Sequence, residues 1–253
     1  MKTLISLLVL YAAYGAVMVW LHPRFLYPFQ ADAQVLPGFS RVEVGVADDG
    51  VALSVQERPA DGPIVLYFMG NAGALPFFAS AFDRHVAAGR HVIAMEYRGG
   101  GGRPGQPSEA RLKADALQVA DYARAKGKPL VAQGYSLGTG LALHVAARRD
   151  VAGVILTAPY DKICRLMAAA SYLPACWLPV QRWASIDDVG SVAAPILVLH
   201  GSEDTVIPSR YSEAFEDVAK RRVIIPGAAH SDIGSFPRFG AEIETFFAEL
   251  AAL

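Results

Sequence analysis

The chain has 253 residues, of which 53% are hydrophobic and 19% are charged, and its 23 Lys and Arg residues nearly balance its 24 Asp and Glu residues. This length is sufficient for one large domain with a buried core, and the composition excludes a disordered chain. A net charge of −1 argues against a dedicated nucleic-acid binder, and two cysteines are too few for a disulfide scaffold or a cysteine-rich metal site.

The N-terminal residues form an apolar run that is long enough to cross a membrane. Leu4–Leu21 contains no charged residue, and its 18 residues would extend about 27 Å as a helix, close to the hydrocarbon thickness of a bilayer. We therefore expect residues 1–24 to form one N-terminal transmembrane helix that acts as an anchor. A cleaved signal peptide and a soluble amphipathic helix are the alternatives.

The charges that flank this run bear on its orientation. Lys2 and the α-amine favour an N-terminus on the inner side, and Arg24 opposes them with a single charge. We expect the domain that follows to lie on the exported, extracytoplasmic side of the membrane.

After a linker over residues 25–40, strand and helix patterns alternate. Arg41–Val46, an Asp-Gly turn and Val51–Glu57 predict a β-hairpin. Further strands are predicted at Ile64–Met69, His91–Glu96, Leu130–Gln133, Val151–Thr157, Ile196–Leu199 and Val223–Ile225. Helices are predicted at Leu75–Ala88, Leu137–Arg149, Arg210–Lys220 and Phe236–Ala252, and from the capping residue Ser108 through Ala125. These repeated units predict an α/β protein with a mostly parallel central sheet and helices on both faces.

One long segment, at about residues 158–192, interrupts this alternation. Long segments inside a compact domain are usually functional, so we predict a small helical cap over the carboxyl edge of the sheet, with an ordinary surface helix pair as the alternative. Cys164 and Cys176 lie within this segment. They would form a disulfide in an exported protein, or else remain two buried thiols.

The sequence from Gly134 to Gly138 matches the pattern G-x-S-x-G, with Ser136 at its centre. A predicted strand precedes it and a predicted helix follows it, as a nucleophile elbow requires. Such a turn raises the serine hydroxyl above the sheet at a helix N-terminus, which favours negative charge. Ser136 is therefore the candidate nucleophile, and a tight turn without a nucleophile is the alternative.

A serine needs a base to take its proton, and the expected chain order is serine, acid, histidine. Of the six histidines, only His230 follows both the last predicted strand and a candidate acid. It is the candidate general base, and a loop histidine with no role is the alternative.

The candidate acid is Asp204, which follows the predicted strand Ile196–Leu199. A carboxylate there would hold the imidazole tautomer and stabilise the imidazolium. Glu203 and Asp161 are the competing acids, and Asp232 is interpreted as a loop carboxylate.

An oxyanion needs two preorganised backbone donors. We expect one from Leu137, directly after the serine, and the other from Asn71, because Gly70 lets the backbone approach closely.

Taken together, these motifs resemble the α/β-hydrolase superfamily. More narrowly, they resemble its bud-emergence-type branch of membrane-anchored serine hydrolases, which is related to the eukaryotic α/β-hydrolase-domain proteins with one N-terminal transmembrane helix. The motifs are YFMGNAG (67–73), EYRGGG (96–101), GQPSE (105–109), GYSLG (134–138), GSEDTVIP (201–208) and PGAAH (226–230).

The likeness spans residues 41–250 and implicates Ser136, Asp204 and His230 at the matching positions. Met69 departs from the branch, which usually has His at that position. The Gly99–Gly102 run also departs, because it lengthens a loop that often reads Arg-Gly-aromatic-Gly.

This resemblance implies an α/β-hydrolase fold over residues 41–253 and a serine hydrolase that cleaves a carboxylic ester or thioester through an acyl-enzyme on Ser136. It implies no metal or organic cofactor. The apolar cap residues favour a lipid-like acyl substrate, with a role in the cap's own core as the alternative. The N-terminal helix implies a membrane partner, and no nucleic-acid partner is expected. A serine peptidase or aminopeptidase and a catalytically silent binding protein are the alternatives.

Overall fold

One eight-stranded sheet forms the centre of the computed structural model, which describes residues 1–252. The strands are β1 (Ser40–Val46), β2 (Ala52–Arg58), β3 (Ile64–Phe68), β4 (His91–Met95), β5 (Leu130–Tyr135), β6 (Gly153–Thr157), β7 (Ile196–Gly201) and β8 (Arg221–Ile225). Their order is β1-β2-β4-β3-β5-β6-β7-β8. β2 is antiparallel to both of its neighbours and all other pairs are parallel, which confirms the predicted sheet.

Helices cover both faces of this sheet. They are α1 (Lys2–Leu26), α2 (Ala79–Ala87), α3 (Glu109–Arg124), α4 (Gly138–Ala146), α5 (Ile163–Ser171), α6 (Ile186–Val189) and α7 (Pro237–Leu250). Successive side chains of a strand point to opposite faces. Ile64 and Leu66 accordingly pack with α3 and α4, whereas Val65 between them packs with α7. Both faces are therefore buried, as continuous apolar strands require.

Helix α1 is longer than the predicted anchor and passes through Pro23. It is long and apolar enough to cross a membrane. Proline has no N–H and leaves the carbonyl of residue i−4 without its usual donor. Here Nδ1 of His22 lies 2.5 Å from the carbonyl oxygen of Val19 and donates to it in place of the missing N–H. The side-chain donor explains why the helix continues to Leu26, two residues beyond the expected end of the anchor.

The residues predicted as a linker pack onto the body of the protein. Leu26, Tyr27, Leu36 and Phe39 are buried, and the Phe39 ring lies 5.8 Å from that of Phe82 on α2. This segment adds to the hydrophobic core instead of separating two units.

The Gly99–Gly102 run packs closely against its surroundings. A side chain at Gly100 would lie 2.3 Å from the carbonyl oxygen of Gly73, and the N–H of Gly101 donates to the carbonyl of Gln30 at 2.7 Å. Glycine is needed here because two backbone segments approach each other without room for a Cβ. The run, which is part of the loop after β4, is thus packed against the loop after β3.

The segment from 158 to 192, which we call the cap segment, lies between β6 and β7. It contains α5, a 3₁₀ turn at Ala175–Trp177 and α6. A disulfide joins Cys164 on α5 to Cys176 in the 3₁₀ turn.

The prediction of a regular helix at Arg210–Lys220 is wrong. The structure has a 3₁₀ helix over Ser209–Phe215. Glu213, Glu216 and Asp217 lie in its last turn or directly after it, where the helix dipole disfavours negative charge.

We expect reduction of the Cys164–Cys176 disulfide to destabilise the protein. A closed loop of about this length stabilises the folded state by roughly 2–3 kcal/mol, so the midpoint of thermal unfolding should fall by roughly 4–10 °C. The measurement is thermal unfolding in detergent with and without dithiothreitol. The double variant Cys164→Ala/Cys176→Ala serves as the control that no longer responds to reductant. Equal midpoints for the reduced and oxidised wild type would contradict the prediction.

Candidate active site

The turn from β5 into α4 presents the hydroxyl of Ser136 at the carboxyl edge of the sheet. Ser136 adopts φ +52°, a left-handed conformation that is strained for a residue with a side chain. Its N–H donates to the carbonyl of Thr157 on β6 at 2.9 Å. A Cβ at Gly134 would lie 2.4 Å from the oxygen of Gly138, and one at Gly138 would lie 2.1 Å from the oxygen of Phe68. Both glycines of the motif are therefore required by close backbone contact.

The structure brings the three predicted chemical groups together. Oγ of Ser136 lies 3.1 Å from Nε2 of His230, and Nδ1 of the same ring lies 2.7 Å from Oδ2 of Asp204. Ser136 follows β5, Asp204 follows β7 and His230 follows β8. The carboxyl ends of these parallel strands meet at one edge of the sheet, which explains how residues 94 and 26 positions apart form one chain of hydrogen bonds.

The surroundings of Asp204 keep its side chain ionised. Burial alone would raise the pKa of this carboxyl, but hydrogen bonds from His200, His230 and the backbone N–H of Ile207 outweigh that effect and hold the pKa well below its ordinary value. The N–H groups of Val206 and Ile207 donate to Oδ1 at 2.9 and 2.8 Å, which leaves Oδ2 to face the imidazole. The carboxylate is thus fixed in position and charge.

His200 supports this carboxylate, and the sequence analysis did not identify that role. Its fully buried Nε2 lies 2.7 Å from the carbonyl oxygen of Ile207 and 3.4 Å from Oδ2 of Asp204. The only signal in the sequence is the i, i+4 spacing of His200 and Asp204. That spacing predicts a contact between side chains in a helix, and these two residues do not lie in one.

The competing carboxylates lie in other environments. Asp161 pairs with Arg165 and accepts from the N–H of Lys162 at 2.7 Å. Glu203 is exposed, and its N–H donates to a loop carbonyl. Asp232 accepts from the N–H of Ala229 at 2.7 Å and so closes the turn that carries the histidine.

Tyr135 holds the loop that carries His230. Its hydroxyl donates to the carbonyl of His230, and the two rings lie 5.3 Å apart. Burial raises the pKa of Tyr135, so the phenol keeps the proton it donates. This residue occupies a variable position of the G-x-S-x-G motif, and no spacing rule indicates its role.

Two backbone N–H groups next to the serine have no acceptor. Among the hydrogen bonds of residues 1–252, none is donated by the N–H of Asn71 or of Leu137. A Cβ at Gly70 would lie 3.1 Å from the ring of Tyr135 and 3.5 Å from Cβ of Ser136, so glycine permits the close approach of the loop after β3. Asn71 and Leu137 both border the same cavity as Ser136. Their arrangement is compatible with an oxyanion hole.

An apolar cavity of about 280 Å³, which we call the serine cavity, opens above Ser136. Its walls come from α1, the cap segment and the loops after β3, β5 and β7. They are formed by His22, Phe25, Leu26, Asn71, Ser136, Leu137, Tyr160, Ile163, Leu166, Met167, Ala170, Val206 and Ile207. Met69, the departure noted in the sequence, is buried, and its carbonyl accepts from the hydroxyl of Tyr97 at 2.7 Å.

Comparison with known proteins identifies proteins that are similar to this chain. No family model matches the chain. It is 32% identical over 243 residues to the uncharacterized protein Rv2307c of Mycobacterium tuberculosis, with 87% of this chain and 85% of that protein covered. It is 30% identical over 188 residues to the lysophosphatidylserine lipase ABHD12 of Danio rerio, an α/β-hydrolase-domain protein, with 65% of this chain and 49% of that protein covered. The chain thus matches about half of that lipase.

Among solved structures, a membrane phospholipase A has the same fold over the whole of both chains, with a TM-score of 0.65 at 20% identity. At that level of identity the likeness concerns the fold alone. The strand order, the left-handed serine after β5 and the similarity to the α/β-hydrolase-domain protein agree with one another. The chain therefore belongs to the α/β-hydrolase superfamily.

Proposed function

We propose that the protein is a serine hydrolase that cleaves a carboxylic ester or thioester with Ser136, His230 and Asp204 as its catalytic residues. The observation that carries this proposal is the unbroken chain of hydrogen bonds from Asp204 Oδ2 through the imidazole to Ser136 Oγ, with distances of 2.7 and 3.1 Å. This pattern places a proton on Nδ1 of His230 and leaves Nε2 to accept the serine proton.

In the first half of the reaction, Oγ of Ser136 attacks the carbonyl carbon and its proton passes to Nε2 of His230. The carbonyl oxygen becomes an oxyanion, which the N–H groups of Asn71 and Leu137 stabilise. Asp204 stabilises the imidazolium without taking its proton, in keeping with its lowered pKa. The intermediate then expels the leaving group, which receives the proton from Nε2, and an acyl-enzyme remains on Ser136.

In the second half, a water molecule attacks the acyl carbon. Its proton passes to Nε2 of His230, the bond from the carbon to Oγ breaks, and Oγ recovers the proton. The products are a carboxylic acid and the free enzyme.

A lipid-like acyl group fits the serine cavity best. Its walls are mostly apolar, and hydrophobic burial is the main source of affinity that such walls offer. The similarity to a lysophosphatidylserine lipase agrees with this substrate class. A lipid substrate also fits a protein that has a helix long and apolar enough to cross a membrane.

We further propose that α1 anchors the protein and that the hydrolase domain lies on the exported side. The disulfide between Cys164 and Cys176 supports this orientation, because such bonds persist in oxidising compartments. Lys2, in the first turn of α1, favours an orientation with that end of the helix on the inner side.

Replacing the nucleophile tests the reaction itself. Ser136→Ala should lower the turnover of a p-nitrophenyl ester by more than about 10⁴-fold and should abolish labelling by a fluorophosphonate, because no other group can form the acyl-enzyme. Ser191→Ala, at an exposed serine that does not line the serine cavity, is the matched control and should leave both readouts unchanged.

Retained labelling or turnover in a pure Ser136→Ala preparation would exclude the proposed nucleophile. Wild type that turns over aminoacyl amides faster than acyl esters would indicate a peptidase. Wild type that neither reacts with the fluorophosphonate nor hydrolyses esters would indicate a binding protein.

Replacing the carboxylates tests which acid orients the histidine. Asp204→Asn should lower kcat by about 10³–10⁴-fold, because an amide favours the wrong imidazole tautomer. Glu203→Gln and Asp161→Asn should stay within a few-fold of wild type, since neither side chain contacts the imidazole. A larger loss in either of these two variants than in Asp204→Asn would refute the assignment of the acid.

The orientation can be tested with fusions at the C-terminus. A phosphatase that folds only after export should be active when fused there, whereas a fluorescent protein that folds only in the cytoplasm should stay dark. The reciprocal pattern would place the hydrolase domain on the inner side.

A further inference from the structure

A second apolar cavity adjoins the serine cavity, between α1 and the cap segment. It has a volume of about 300 Å³, and we call it the distal cavity. Four residues line both cavities: His22 and Phe25 on α1, and Met167 and Ala170 on α5. The residues that line only the distal cavity are Tyr14, Met18, Val19, Ser171, Leu173, Ala175, Leu178 and Val180. The two cavities therefore lie in a row along α1 that begins at Ser136, and we call this row the path.

Helix α1 is held against the cap segment by specific hydrogen bonds along this path. The hydroxyl of Tyr11 donates to the carbonyl of Tyr172 at 2.8 Å, and that of Tyr14 donates to the carbonyl of Ser171 at 3.1 Å. Further along, the N–H of Gln181 donates to Nε2 of His22 at 3.2 Å. Because Nδ1 of His22 is already bonded to the carbonyl of Val19, this ring forms a fixed part of the wall between the cavities.

The position of these contacts determines how deep the cap segment lies in a membrane that α1 crosses. The stretch of α1 from Tyr11 to His22, about 16 Å of helix, lies alongside the cap segment and belongs to the helix that is apolar enough to cross a membrane. The hydrocarbon core is about 30 Å thick. A span by α1 therefore brings the tip of the cap segment to the membrane.

The surface of that tip suits such a position. Tyr172 and Trp177 are 87% and 89% exposed, and both are aromatic residues of the kind that occupy membrane interfaces. The distal cavity lies just behind this tip, since Ser171, Leu173 and Ala175 line it.

We propose that α1 is part of the substrate site and that the long acyl chain of a bilayer lipid lies along the path formed by the serine and distal cavities. The carbonyl carbon reaches Ser136, the first methylenes fill the serine cavity, and the remainder of the chain passes between His22 and Ala170 into the distal cavity. This inference rests on the proposed ester hydrolysis and assigns to α1 a role in chain-length specificity.

Straight acyl chains match this path better than other occupants do. The distal cavity is lined almost entirely by apolar groups, so a polar ligand would lose hydrogen bonds to water without replacement. The path begins at the reacting hydroxyl and ends behind the exposed aromatic tip of the cap segment.

The test is to block the path at two points and to measure kcat/KM for p-nitrophenyl esters of increasing chain length with the full-length protein in detergent micelles. Met18→Trp fills the distal cavity only, and Ala170→Trp fills the junction. Val17→Trp, one position away on an exposed part of α1 that lines neither cavity, is the matched control.

We expect wild type and Val17→Trp to share a preference for long chains. Met18→Trp should lower the ratio of kcat/KM for the C16 ester to that for the C4 ester by about tenfold or more, which corresponds to the exclusion of roughly two methylenes from an apolar site. Ala170→Trp should produce the same loss at a shorter chain length, because it blocks the path nearer to Ser136.

One outcome is that the C16 to C4 ratio of kcat/KM is unchanged in both Met18→Trp and Ala170→Trp while wild type is active on both esters and Ser136→Ala on neither. That result would overturn the proposed acyl path and leave the proposed hydrolysis intact. An equal loss in Val17→Trp would also overturn it, because the effect would then come from α1 in general. Persisting activity of Ser136→Ala would instead refute the proposed function. Ala170 lies on α5 and is exposed, so Ala170→Trp leaves the sequence of α1 unchanged. It therefore tests the path even if Met18→Trp impairs membrane insertion.

Discussion

The turn at Ser136 is the constraint on which the candidate site depends. A left-handed serine costs roughly 1–3 kcal/mol and persists only where its surroundings hold it. They do so here through backbone contacts, since Gly138 touches β3 and the N–H of Ser136 is bonded to β6. The strained residue is thus held by the buried centre of the sheet, the part of the fold that is most difficult to deform. A hydroxyl held in this way loses little entropy when it reacts.

The same reasoning explains why three chemical groups could be predicted from the sequence. Each follows a strand of a parallel sheet, and such strands end at one edge. The groups that support them could not be predicted in this way. His200 acts on Asp204 because the loop after β7 folds back, and Tyr135 reaches the His230 loop from a strand three places away. Both contacts depend on tertiary distances that no sequence spacing encodes.

Two errors in the predicted elements have a related cause. Pro23 marks a helix end by its own chemistry, yet α1 continues because a neighbouring imidazole replaces the missing donor. Arg210–Lys220 has a helical composition, yet only a short 3₁₀ helix forms there, with acidic residues at its unfavourable end. A side-chain hydrogen bond decides the first outcome, and the position of the charges opposes a regular helix in the second. The strands β3 and β4, which are buried on both faces, were each predicted to within one residue.

The contact between α1 and the cap segment satisfies a requirement of both partners. The last carbonyls of a helix have no partner within it, and α5 ends at Ser171. Near lipid, where no water is available, such carbonyls are costly to leave unbonded. The hydroxyls of Tyr11 and Tyr14 bond the carbonyls of Tyr172 and Ser171, and the same bonds satisfy two hydroxyls on an otherwise apolar helix. Because each surface completes the hydrogen bonds of the other, α1 stabilises the position of the cap segment and hence the wall of the cavity above Ser136.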